Sequence, residues 1–108
     1  MKDRFKFRFF ETYNNTMLDC DDYDINELFE EGKPVMQCTG LKDKNGKLVY
    51  ESDIVTDGIE NYVVVWIDDD DHLGFYVRDL DKVNYTFYQL LEYTIIGNIY
   101  ENKELLED

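Results

Sequence analysis

The run Asp68, Asp69, Asp70, Asp71 and His72 is the most conspicuous chemical feature of the chain. Carboxylate oxygens and an imidazole nitrogen are the donors a divalent cation takes, which makes Asp69, Asp71 and His72 the candidate metal ligands. Adjacent side chains diverge, however, and a metal cage needs ligands converging from several segments. Four like charges beside a turn are equally well described as a hydrated loop, and that is the expectation here. Nucleophilic chemistry is poorly supplied. Ser52 is the only serine and His72 the only histidine, so a Ser–His–Asp relay would have to be built from these two. A Cys–His pair would bring Cys20 or Cys38 to a histidine among aspartates, whose charge raises a thiol pKa and opposes activation.

Asp43, Lys44, Asn45 and Gly46 superficially resemble a calcium loop. With Gly46 at the sixth position, the first and twelfth ligands fall on Leu41 and Ser52, which cannot serve. Asn-Gly alone explains the segment, as the tight connection of a hairpin. The six glycines are too dispersed to cradle a phosphate. Arg4, Lys6 and Arg8 form a cationic stripe that could touch phosphates, with nearby aromatic rings to stack on bases. Pairing of these cations with neighbouring acids, across the sheet or across an oligomer interface, explains them as well and is the expectation. Acidic clusters stand at Asp19, Asp21, Asp22 and Asp24, at the four aspartates from Asp68, and at Glu101, Glu104, Glu107 and Asp108. Brought onto one face, they would offer carboxylates to a basic protein surface in place of nucleic acid.

The elements that hold these residues are mostly strands. Phe5, Phe7 and Phe9 alternate with Arg4, Lys6 and Arg8, the period of a half-buried strand. After a polar turn at Asn14 and Asn15, Asp24 and Glu27 have the spacing of a capping box for about two turns of helix. Gly32 and Pro34 end it. Short strands are expected at 35–38, 48–50, 53–55, 62–67, 75–77, 85–88 and 94–100. The acidic run forms the tip of a hairpin between the fourth and fifth of these. Asn102 opens a final helical turn with Leu105 and Leu106.

The chain has 108 residues, a one-domain length, with 44% hydrophobic and 16% aromatic residues and no alanine. This composition favours strands over long helices. The expected fold is α+β and mostly β: an N-terminal mixed region over 1–47 packed with an SH3-like antiparallel barrel over 48–108. Acids outnumber bases 25 to 11, a net charge of −14, which disfavours nucleic acid and anionic membranes as partners. No apolar stretch reaches the ~18 residues of a membrane span. The basic N-terminus lacks the uninterrupted apolar core of a signal peptide. Cys20 and Cys38 have neither C-x-x-C nor zinc spacing and are expected as free thiols.

Three segments in order carry a family resemblance. They are Val35-Met36-Gln37-Cys38-Thr39-Gly40-Leu41-Lys42-Asp43-Lys44-Asn45-Gly46-Lys47 with Tyr50-Glu51-Ser52-Asp53-Ile54-Val55, the opening Lys6-Phe7-Arg8, and Ile96-Gly97-Asn98-Ile99-Tyr100-Glu101-Asn102-Lys103-Glu104-Leu105-Leu106. Together they resemble the YopX family of phage and prophage proteins over almost the whole chain. Cys38 departs from a usual aromatic, Ser52 from glycine, Phe10 from tryptophan and Lys103 from proline. The resemblance implies a phage-encoded accessory protein of the bacterial host cytoplasm with an SH3-like C-terminal part. It carries over no catalytic residues and no cofactor.

The expected function is therefore non-enzymatic. Asp19, Asp21, Asp22, Asp68, Asp69, Asp70 and Asp71 would engage a host or phage protein, and the aromatic excess points to a homo-oligomer. The alternative is a nucleic-acid-associated module built on Arg4, Lys6 and Arg8. A metal-dependent enzyme comes third.

Overall fold

A computed structural model describes residues 6–21, 23–71, 73–79, 85–87 and 93–106. Arg4, Asp22 and His72 lie outside the described residues. A four-stranded sheet contains β1 (Phe7–Glu11), β2 (Thr16–Asp19), β3 (Val35–Lys42) and β4 (Leu48–Tyr50), in the order β2-β1-β3-β4. A five-stranded sheet contains β5 (Asp53–Thr56), β6 (Asn61–Asp68), β7 (Leu73–Asp79), β8 (Tyr85–Phe87) and β9 (Thr94–Asn98), in the order β8-β7-β6-β5-β9. All described pairings are antiparallel, and the second sheet curls into a half-barrel. The fold is thus mostly β with a barrel-like region, as the strand-rich composition foretells. No helix among the described residues is long and apolar enough to cross a membrane.

Strand β1 is buried on both faces rather than on one. Phe9 points into a cluster with Cys20 and Leu28, packed by Phe7, Leu18, Ile25 and Val35. On its other face Phe10 is 4% exposed and stacks on Tyr100 at 5.2 Å. The alternation of phenyl rings and cations describes one face correctly. It misses the C-terminal segment that closes over the other.

Helix α1 (Ile25–Glu30) is shorter than two full turns. Asp24 caps it by accepting the Asn26 amide at 2.9 Å. Its end is a Schellman motif: the Lys33 amide donates to the Leu28 carbonyl and the Gly32 amide to Phe29, with Gly32 at φ +74°. Strand β2, not foreseen in the sequence, pairs with β1 from Glu11↔Thr16 to Arg8↔Asp19. Strand β9 stops at Asn98, two residues earlier than its apolar run suggests, and a 3-10 helix spans Lys103–Leu106.

The second core contains Val49, Val55, Val64, Val77 and Tyr93. Val49 comes from β4, which hydrogen-bonds within the first sheet and buries its side chain in the core of the second. One short strand therefore ties the two sheets into a single packed unit.

Candidate functional site

The polar residues in the interior gather where the two sheets meet. Arg8, on the Phe10 face of β1, reaches Asp53 at the start of β5 with Nη2–Oδ1 at 2.6 Å. Their side chains are 13% and 3% exposed, so this is an interior pair. Asp53 Oδ2 accepts the Tyr50 amide at 2.8 Å, and the guanidinium lies 4.5 Å from the centre of the Tyr50 ring. Burial pushes the Asp53 carboxyl above its usual range, against the pull of Arg8 and the Tyr50 amide. Arg8 Nε is buried with no hydrogen-bond partner. The pair answers the question of what the strand cations do: at Arg8 the acid comes from the other sheet, not from a neighbouring strand.

Between these partners, Ser52 adopts φ +74°, the left-handed conformation glycine favours. The glycine that the family resemblance leads one to expect at this place would adopt this conformation without steric cost. The Ser52 hydroxyl donates to Met36 Sδ at 2.8 Å, so the only serine is buried and engaged. Outside the ion pair a groove of about 410 Å³ opens, lined by Arg8, Lys47, Asp53, Asn98, Glu101 and Asn102. Its C-terminal wall is held by amide side chains. Asn98 Oδ1 accepts the amides of Tyr100 and Glu101, and Asn102 Oδ1 accepts the Asn98 amide. A Cβ on Gly97 would sit 2.5 Å from Asn102 Oδ1, so glycine is required for this close approach.

Asp43 serves as a structural carboxylate, with both oxygens engaged by backbone amides. Oδ1 accepts the amides of Asn45 and Lys47, and Oδ2 accepts the amide of Ile95 from the second sheet. Burial pushes its carboxyl up, and the three amides together with the nearby Lys47 charge outweigh that push and hold it below its usual range. The connection it organises has five residues with only Gly46 at positive φ, rather than a two-residue Asn-Gly turn. The carboxylate supplies acceptors that a shorter turn would have taken from the facing strand.

The acidic candidates lie elsewhere. Asp68 ends β6, and Asp69, Asp70 and Asp71 form the exposed tip before β7, where Asp69 accepts the Asp71 amide. Asp19 and Asp21 are exposed at the end of β2, on the other sheet. Among the described residues no three His, Cys, Asp or Glu side chains gather as a metal site. Lys6 is exposed, whereas Arg8 is committed to Asp53, so the two do not present one open cationic stripe.

Both cysteines are free and buried. Burial, reinforced by Asp19 and Asp21, pushes the Cys20 thiol up, away from thiolate. Burial also pushes the Tyr50 hydroxyl up to about 12 and raises Tyr62 and Tyr100. These shifts keep protons on the groups at neutral pH rather than activating them. The Arg8–Asp53 clasp and the Asn98–Asn102 lock escaped sequence reasoning. Their one signal was placement: Arg8, Asp53 and the Asn98–Asn102 pair each fall in a different one of the three segments that carry the family resemblance.

Comparison with known proteins agrees with this architecture. The model of the YopX protein family matches residues 12–107. The crystal structure of protein EF1440 from Enterococcus faecalis is similar at 27% identity and a TM-score of 0.67. That match covers 94% of this chain and 97% of the other. No curated protein matches the chain. The family match, spanning nearly every element from the turn after β1 to the closing 3-10 helix, gives the identification: the chain belongs to the YopX family.

Proposed function

We propose that the protein is a phage- or prophage-encoded accessory factor of the bacterial cytoplasm that works through contacts with a protein partner, without catalysis. The observation that carries this reading is a division of labour among charged groups. Asp43 and Asp53 are buried, Arg8 is largely so, and all three are tied into backbone or ion-pair contacts. The remaining acidic candidates, Asp19, Asp21 and Asp68 to Asp71, are exposed on two sheets. In a chain of net charge −14 they attract a basic surface at long range and repel phosphate.

The experiment is affinity capture of the tagged full chain from lysogenic cells, washed at low and high salt and identified by mass spectrometry. The reading expects a protein held at low salt and released at high salt, since exposed charges are screened beyond about 8 Å at physiological ionic strength. Retention of nucleic acid instead would favour a module built on the N-terminal cations and overturn it.

A further inference from the structure

At the far end of the β6–β7 hairpin the core-lining face of the second sheet runs out into solvent. The register places Val64 opposite Val77, Trp66 opposite Phe75 and Asp68 opposite Leu73, all on one face. Along that face exposure climbs from 1% and 0% at Val64 and Val77 to 47% at Trp66 and 70% at Leu73. Trp66 and Phe75 meet edge to face at 5.0 Å, which fixes the indole orientation. Asp68, Asp69, Asp70 and Asp71 rim the patch directly beyond it, all exposed. An aromatic anchor beside an aliphatic one, edged by charge, is the composition of a contact surface.

We propose that this patch is the docking surface for a basic segment of a partner protein, one that carries arginine beside an apolar anchor. The apolar anchor seats against Trp66, Phe75 and Leu73, while a guanidinium meets the indole face and the aspartate rim. The sign of the rim selects this occupant. Nucleic acid is repelled by four carboxylates, and a two-fold contact between copies would set two such tips together. The assignment rests on the protein-contact reading above and names the surface and the chemistry it takes.

Trp66 is the only tryptophan, so its emission reports on the site directly. The probe is a synthetic peptide alternating arginine and leucine, titrated into the full chain, with an alternating glutamine–leucine peptide as control. The expected result is a saturable emission shift with the basic peptide. Its midpoint should weaken at least tenfold in Leu73→Ser and in the double variant Asp69→Asn/Asp71→Asn. Both changes fall on exposed positions and leave the core untouched. Equal midpoints in the variants and the parent would overturn the assignment. So would an emission shift produced by concentrating the protein alone, which would make the patch an interface between copies. In capture from lysogenic cells, undiminished retention of the same protein by Leu73→Ser sinks this surface and leaves the broader reading standing. A parent chain that retains no protein sinks the broader reading, whatever the peptide does.

Discussion

Arg8 and Asp53 illustrate how a charged residue can be structural throughout. Removing water from both ions costs several kcal/mol, and their attraction, the Tyr50 amide and the Tyr50 ring must offset it. Breaking such a pair from one side strands the other charge. Asp53→Ala is therefore expected to lower stability by about 3–5 kcal/mol in urea unfolding. The double variant Arg8→Met/Asp53→Leu should recover most of that loss; a double variant as unstable as the single one would show that the pair stabilises more than an apolar replacement can. Ser52 offers a cleaner comparison. Alanine and glycine both remove its hydroxyl, but only alanine keeps a side chain at φ +74°. Ser52→Gly should exceed Ser52→Ala in stability by about 1–2 kcal/mol. Asp43 supplies a pH dependence whose sign follows from its lowered pKa. A carboxyl that is more acidic folded than unfolded contributes stability above the ordinary carboxylate range. That contribution is lost as pH falls through that range towards the folded value. The stability gap between the parent and Asp43→Asn should accordingly be widest near neutrality and shrink on acidification, as followed by urea midpoints across pH.

At the scale of elements, turns decide how the strands meet. Gly97 has room for a side chain in its backbone conformation but not in its surroundings, where Asn102 fills the space. Gly97→Ala should cost about 1–3 kcal/mol as an overpacked contact, and adding Asn102→Gly should relieve part of it in thermal unfolding. Strand positions were legible because Val- and aromatic-rich runs between Gly, Asn and Asp clusters leave few alternatives. The run through Val63, Val64 and Val65, the hairpin tip beyond Asp68 and the cap at Asp24 all follow from local pattern. Strand β2 did not, because Met17 and Leu18 sit in a short edge strand with no full alternation, stabilised by pairing with β1 rather than by propensity. The polar seam was illegible for a related reason. Arg8 and Asp53 are 45 residues apart, and nothing local in either segment names the other. The acidic tip was visible as composition, whereas the apolar face beside it required the register of β6 on β7.

For the whole molecule, the arrangement separates a polar interior seam that holds two sheets together from an acidic exterior. Arg8 and Asp43 reach across the seam from the first sheet to the second, and Val49 adds an apolar contact in the second core. A chain of this net charge repels its own copies at low salt, so any homo-oligomer should tighten as salt is added, the opposite of the response expected for a basic partner. The most direct trial of the account is therefore capture from lysogenic cells with the full chain and with a variant carrying Asp68→Asn, Asp69→Asn, Asp70→Asn and Asp71→Asn together. The account predicts a protein partner that stays with the parent at low salt, leaves at high salt and is lost from the variant. The same partner held equally by both chains at either salt would contradict it.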